Sequence, residues 1–350
     1  MKQHYPYITD KKLVDTPTQR KILKYLTKIF RPLVRDQLTT SNHTTPQQMV
    51  AYIDKMRAKY PYYLKFDFEK FYVNIRHDKL IDTIYALCHL RDYIPKKTGI
   101  YYIDKIKDEY LSSSPFTNMN IPTGSTLSSI LSNIYLYPLD SKICHPFTRH
   151  VDDVIVLFDD PRQIDIFVEQ VLLPICHDLG LTLHPQKIQS GRWSKSAVSY
   201  LGFKFIRGII SICGTSVQKF IAQIVQITSR VHNDSVDKLI EKLNHRIDGF
   251  GHYYKIARVS RVYDRLDKMI RHRIRRYASS EPGADSTTHF VWTNAQLDKS
   301  GLHRLTSILT KTPQNRYKRD KPVQTNTSSI KEDLRRIEQK LDVLMGFFDR

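Results

Sequence analysis

The stretch that decides the fold is His150-Val151-Asp152-Asp153-Val154-Ile155-Val156-Leu157. Two adjacent carboxylates are followed at once by a β-type apolar run, which suits a hairpin with the acids at its tip. Adjacent strand side chains point to opposite faces, so only one acid of the pair aims at a given site. A second carboxylate then has to come from a neighbouring strand. The run Lys65-Phe66-Asp67-Phe68-Glu69-Lys70-Phe71-Tyr72 supplies it, with Asp67 near the end of an apolar strand over Tyr63–Phe68. Carboxylates brought together repel, and a divalent cation is what lets such a cluster persist.

The rest of the chain says what kind of polymer such a site meets. Of 350 residues, 55 are Lys or Arg and 35 are Asp or Glu, a net charge of +20. With a pI near 9.6, this balance points to a polyanionic partner, most often nucleic acid. In that setting the acids read as a two-metal site. One Mg²⁺ activates a 3′-hydroxyl and the other holds a triphosphate and its leaving group. Mn²⁺ is a second candidate ion. Hydrophobic residues at 41% exclude a mostly disordered chain. No apolar stretch is long enough for a membrane helix, and the N-terminus carries no secretory h-region. Three of the four cysteines sit directly before histidine (Cys88-His89, Cys144-His145, Cys176-His177). Adjacent Cys-His is poor zinc geometry, so they read as reduced thiols of a cytoplasmic protein.

Between and after the acids comes an ordered series. Ile121-Pro122-Thr123-Gly124-Ser125-Thr126-Leu127-Ser128 precedes the Asp pair. Leu179-Gly180-Leu181-Thr182-Leu183-His184-Pro185-Gln186-Lys187 and then Tyr200-Leu201-Gly202-Phe203 follow it. The succession resembles motifs A, B, C and D and the primer grip of the bacterial branch of reverse transcriptases. That branch includes group II intron proteins, retron enzymes, diversity-generating enzymes and defence-associated enzymes. The resemblance covers residues 60–207, weakens over 208–278 and is absent beyond.

It implies an α+β right-hand polymerase: fingers and palm over 1–207 and a helical, basic thumb over 208–278. It also implies roles residue by residue. Asp67 and Asp152 would be metal ligands, with Asp153 and the Phe68 carbonyl completing the set. Lys187 would protonate the leaving pyrophosphate, or simply bind phosphate. Tyr72 would be the steric gate that selects dNTPs, and its ring also suits core packing. Thr123 and Gly124 would line the nucleotide site. Ser125 would bond backbone or phosphate, and Asn133 would contribute to motif B or brace its helix. Arg20 and Lys21, after Pro17, would clamp the triphosphate. His150, Leu201 and Gly202 would lie along the primer. Gly249-Phe250-Gly251-His252-Tyr253-Tyr254 and the helix after it look like an intron-type thumb. There His252, Lys255, Arg258, Arg261 and Arg265 would ride the phosphate backbone. Over Lys255–Arg276 nine Lys/Arg against two Asp give +7, beside an apolar stripe.

The pattern also departs from the family. Thr123 stands where motif B usually has Gln, and His150 where motif C usually has Tyr or Phe. No Val-Thr-Gly tract marks a retron thumb, and no maturase extension or nuclease segment is read. The implied protein is a stand-alone defence-associated enzyme that makes DNA from a dedicated non-coding RNA. A diversity-generating or retron-type enzyme, or a silent RNA-binding scaffold, are the alternatives. RNA template, DNA product and dNTPs are the implied partners. Residues 279–328, rich in Ser, Thr, Gly, Pro and Asn, read as a linker or irregular extension with a short ordered piece around Phe290–Leu309. In 329–350, Ile330, Leu334, Ile337, Leu341, Leu344 and Phe348 form a heptad seam. It reads as a C-terminal amphipathic helix that docks on its own domain or joins a second copy or a partner protein.

Overall fold

The computed structural model describes residues 7–9, 12–14, 16–34, 37–39, 44–89, 96–111, 118–122, 125–206, 209–229, 235–279 and 292–310. The heptad segment 329–350 and the pair Thr123-Gly124 lie outside the described residues.

One local device opens two early helices. Thr16-Pro17-Thr18-Gln19 and Thr45-Pro46-Gln47-Gln48 each form a capping box, the threonine hydroxyl and the glutamine side chain satisfying each other's backbone. Proline at the first helical position leaves no N–H orphaned. A hairpin of β1 (Tyr7–Thr9) and β2 (Lys12–Val14) comes first. Helix α1 (Pro17–Phe30) follows, then strand β3 (Leu38–Thr39) and helix α2 (Pro46–Met56). Pro32 ends α1 in a tight turn, Arg31–Leu33.

Contacts divide the chain into two units between Arg192 and Trp193. The first unit is built on a five-stranded sheet. Strands β4 (Tyr62–Phe66), β5 (Phe147–His150), β6 (Asp153–Phe158) and β7 (Gln189–Arg192) join β3 in the order β3-β5-β6-β4-β7. Only the β3–β5 pair is parallel. Helices α3 (His77–His89), α4 (Lys96–Ile106), α5 (Thr126–Tyr135), α6 (Tyr137–Asp140), α7 (Arg162–Phe167) and α8 (Leu173–Leu179) complete it. Val154 to Phe158 of β6 are all buried, so both faces of that strand are covered, which is why its sequence runs apolar without alternation. Leu64, Phe66, Val154 and Val156 meet Ile22 and Leu26 of α1, Leu127, Leu131 and Ile134 of α5, and Ile175 and Leu179 of α8 in one core. At ~25 cal/mol per Å² of apolar area, this core is what holds the sheet's register.

By its contacts the second unit starts at Trp193 and takes in the hairpin of β8 (Ala197–Tyr200) and β9 (Phe203–Ile206). With β10 (Ile209–Ile212) it makes a three-stranded antiparallel sheet. Helices α9 (Gly214–Ile227), α10 (Val236–Tyr254) and α11 (Ser260–Ser279) follow. The apolar stripe of α11 is buried through Tyr263, Leu266, Ile270 and Ile274.

Within 279–328, residues 292–310 are the short ordered piece expected around Phe290–Leu309. They form α12 (Asn294–Lys299) and α13 (Leu305–Thr310), two helices of the second unit. Thr293 opens α12 with a third capping box. The buried Asp267 carboxylate accepts from the Leu305 and Thr306 N–H groups at 2.9 and 3.1 Å, capping α13 from α11. Arg271 binds Asp298 at 2.5 Å, and Arg275 donates to the Trp292 carbonyl at 2.7 Å. A Cβ on Gly251 would sit 2.2 Å from Ile308 Cδ1, so glycine there is what lets α10 and α13 close. Composition hid the partners of this piece because they are far apart in sequence. Among the described residues no helix is long and apolar enough to cross a membrane.

Candidate active site

The acids sit where β4 and the β5–β6 hairpin end. In register, Phe66 faces Val154 and His150 faces Asp153, so Val151 and Asp152 form a two-residue turn at the hairpin tip. Asp67 follows β4 immediately. Its carbonyl accepts from the His184 N–H at 2.8 Å, and the Glu69 N–H donates to the Thr182 carbonyl at 2.8 Å. These two bonds flank the Phe68–Leu183 bridge, so the Phe68 carbonyl points away from that pairing.

Asp67 is buried. Its Oδ2 accepts from the Lys187 ammonium at 2.7 Å, which raises the lysine's pKa. Its Oδ1 is buried with no hydrogen-bond donor among the described residues. Asp152 lies against it: burial, then repulsion from Asp67, pushes the Asp152 carboxyl up to about 6. Asp153 is turned elsewhere, to the Lys65 ammonium at 2.9 Å. Burial pushes the Asp153 carboxyl up and Lys65 pulls against that shift.

Among the described residues no three His, Cys, Asp or Glu side chains form a ready-made metal cage, and both Asp67 and Asp153 are paired with a lysine. A donor-less buried oxygen on Asp67, beside a carboxyl whose ionisation is opposed by its neighbour, is nevertheless the chemistry a hard divalent cation satisfies. Asp67, Asp152 and the Phe68 carbonyl fit such an ion.

The hairpin tip is strained. Val151 has φ 59°, in the left-handed region. For a β-branched residue this costs about 1–2 kcal/mol. Arg149, with a fully buried side chain, holds the turn from below. Its Nη1 donates to the Val151 carbonyl at 2.8 Å and to Asn133 Oδ1 at 2.8 Å. Its other edge grips Asp140 through Nε at 2.8 Å and Nη2 at 2.5 Å. Asn133 in turn donates from Nδ2 to the Ser129 carbonyl at 2.8 Å, so it braces the helix after motif B. Burial pushes the Asp140 carboxyl up and Arg149 offsets part of that shift.

The other expected residues of the first unit fall in four places. Tyr72 is half-buried, edge-on to Phe71 at 5.6 Å, its hydroxyl 3.5 Å from Ser132 Oγ. Ser125 is buried and caps α5, its hydroxyl accepting from Leu127 N at 3.1 Å, so it serves backbone rather than presenting itself to nucleic acid. His150 is half-buried, and burial holds its imidazole below the usual range. Arg20 and Lys21 are exposed on the first turns of α1.

In the second unit, Leu201 and Gly202 form another two-residue turn, both with positive φ, 51° and 78°. The Tyr253 hydroxyl donates to the Leu201 carbonyl at 3.0 Å. The Gly202 carbonyl accepts from Cys213 N at 2.8 Å, and a Cβ on Gly202 would meet the Tyr254 hydroxyl at 2.4 Å. His252, Lys255, Arg258, Arg261 and Arg265 are all exposed. By contrast Arg271 and Arg275 of the same basic helix bind within the unit.

Sequence reasoning missed Lys65, Arg149 and Asp140. A signal existed for the arginine: a cation in the strand that leads into the acid pair has to find a partner once that strand is buried.

Residues 9–205 match the family described as reverse transcriptase (RNA-dependent DNA polymerase). Residues 217–281 match the group II intron, maturase-specific domain. The second match corrects the expectation that no maturase segment is present: it covers most of α9 and all of α10 and the basic helix α11. No curated protein matches the chain. Among solved structures, apo telomerase from Candida tropicalis is similar with a TM-score of 0.47 at 12% identity, over 84% of this chain and 51% of that one. Telomerase from Candida albicans in complex with a TWJ fragment of telomeric RNA gives 0.44 at 11%, over 81% and 56%. A C-terminally truncated apo telomerase from Candida tropicalis gives 0.43 at 14%, over 56% and 45%. The chain spans roughly half the length of these telomerase chains.

Proposed function

The chain belongs to the reverse transcriptase (RNA-dependent DNA polymerase) family, and from that premise we propose that it extends a primer with dNTPs on an RNA template. The observation that carries the reading is the buried meeting of Asp67 and Asp152 at adjacent strand ends. Asp67, Asp152 and the Phe68 carbonyl would hold two Mg²⁺ ions. When bound, such ions favour ionisation of the 3′-hydroxyl and neutralise charge on the triphosphate.

The protein's own groups do the rest. Lys187, hydrogen-bonded to Asp67 Oδ2, carries an ammonium proton beside the site where pyrophosphate leaves. Lys65 orients Asp153 and opposes the upward shift that burial gives its carboxyl. The Tyr72 ring, packed on Phe71, narrows the space a 2′-hydroxyl would need. Arg20 and Lys21 meet the triphosphate. The exposed cations of α10, α11 and the loop between them take phosphates of the duplex without reading its bases.

The template, on this reading, is a dedicated non-coding RNA, and the setting is antiviral defence. The departures at Thr123 and His150 from the intron-enzyme pattern support that choice, while the match over 217–281 makes an intron RNA the competing template. The test is to purify the protein with its bound nucleic acid, add Mg²⁺ and labelled dNTPs, and sequence RNA and product. Asp152→Ala/Asp153→Ala is the control. Labelled DNA complementary to one bound non-coding RNA, absent in the control, is the expected result. DNA copied from an intron moves the template assignment. Bound RNA with no DNA under any primer or metal overturns the polymerase reading in favour of a scaffold.

A further inference from the structure

The turn that carries Asp152 sits on a left-handed valine, and a buried network reaches it from the helix after motif B. Val151 holds φ 59°. As the first central residue of a two-residue hairpin turn it sends its carbonyl out of the strand ladder. Arg149 Nη1 takes that carbonyl and, at the same 2.8 Å, Asn133 Oδ1. The remaining edge of the guanidinium is occupied by Asp140. The Arg149–Asp140 pair alone would satisfy a buried charge. What Asn133 adds is aim, since it fixes the Nη1 corner that reaches the hairpin tip. Asn133 itself is anchored on Ser129, one turn earlier on α5.

We propose that Asn133 and Arg149 are positioning residues for the metal-binding acid: together they hold the Val151 carbonyl, keep the turn left-handed and so keep Asp152 against Asp67. The motif B helix is thereby wired to the motif C tip. This rests on the polymerase reading, but the turn mechanism has its own measurable quantity, the affinity of the protein for Mn²⁺.

The cycle is Asn133→Ala, Val151→Gly and the double variant, in the full chain. Asn133→Ala leaves the Arg149–Asp140 pair intact and frees the Nη1 corner. Glycine at 151 takes positive φ without the side-chain penalty, so the turn no longer needs holding. Mn²⁺ affinity is read by titration calorimetry without nucleotide, and kcat and KM for dNTP by primer extension. We expect Asn133→Ala to weaken Mn²⁺ binding about tenfold and lower kcat about tenfold, the factor a left-handed penalty of this size implies, with KM for dNTP within about twofold. Adding Val151→Gly should bring both back to within about threefold of the wild type. Asn133→Asp keeps the Oδ1 acceptor for Arg149 but loses the Nδ2 donor to the Ser129 carbonyl, so it should fall between the wild type and Asn133→Ala.

A double variant no better than Asn133→Ala, or an Asn133→Ala indistinguishable from wild type in Mn²⁺ affinity, overturns the proposal. A wild type that binds Mn²⁺ without adding nucleotide sinks the polymerase reading, while the Mn²⁺ cycle still decides the clamp. A wild type that adds nucleotide beside an equally active Asn133→Ala does the reverse.

Discussion

Two hairpin turns, one in each unit, solve the same backbone problem with different chemistry. At 150–153 the left-handed non-glycine residue is Val151, and at 200–203 it is Leu201, followed by Gly202. In each, a side chain donates to that residue's carbonyl: Arg149 in the first and Tyr253 in the second. The first support is ionic and fully buried, with Asp140 and Asn133 behind it. The second is aromatic, with Tyr253 stacked on Phe203 at 5.5 Å and Tyr254 close to Gly202. The difference teaches where each turn can fail. A buried ion pair is geometrically exact only while both charges are present, because either one left alone carries its full desolvation penalty. An aromatic support loses one neutral hydrogen bond and keeps its packing.

The largest break in the comparison comes from Arg149→Met. It strands the Asp140 carboxylate in a fully buried site, and we expect a loss of about 3–5 kcal/mol in denaturant unfolding. Arg149→Met with Asp140→Leu should recover most of that stability without recovering activity. A single variant that loses under 1 kcal/mol would mean the pair is not the buried anchor it looks to be.

Next in size is Gly202→Ala, which adds a Cβ at φ 78° and 2.4 Å from the Tyr254 hydroxyl. A loss of about 2 kcal/mol is expected, monitored by thermal unfolding of the full chain. If alanine is tolerated there, the aromatic turn is softer than its geometry implies.

Asp152→Asn moves stability the other way. Its carboxyl is raised to about 6 by burial and by Asp67, so at neutral pH the charged form is opposed. The raised pKa means that ionising Asp152 works against the folded state above pH 6. Removing the charge should therefore stabilise the metal-free protein by about 1 kcal/mol, discounted for the solvent that screens this half-buried group. The same variant should lose all nucleotide incorporation. A metal-free Asp152→Asn that melts below wild type would show that repulsion at the tip is already relieved.

The smallest effect belongs to Tyr253→Phe, which removes only the bond to the Leu201 carbonyl. About 1 kcal/mol is expected, since the stacked ring remains. Comparing it with the Arg149 variant in the same assay measures the contrast between the two supports directly.

Much of the site was legible beforehand, and the reasons are local. Asp152 and Asp153 lie at a hairpin tip because a β-type run follows them, and Asp67 lies at the neighbouring strand end because an apolar strand precedes it. The helices after Pro17 and Pro46 open on threonine caps, a device that acts within four residues. The basic face of α11 followed from its periodicity. What was not legible was pairing. Nothing near Asp153 in sequence says that it turns to Lys65 while Asp152 turns to Asp67.

The sequence by itself determined which elements form and in what order the acidic, basic and turn residues arrive, because caps, strand alternation and helical periodicity act over a few residues. Only the tertiary structure decided that Arg149 meets Asp140 and Asn133, that Asp267 caps a helix at Leu305, and that residues 292–310 fold onto the second unit. Those outcomes depend on buried charges and backbone groups finding partners, and in a folded chain the partner is chosen by proximity in space. Desolvation makes the choice compulsory without announcing it in the local sequence.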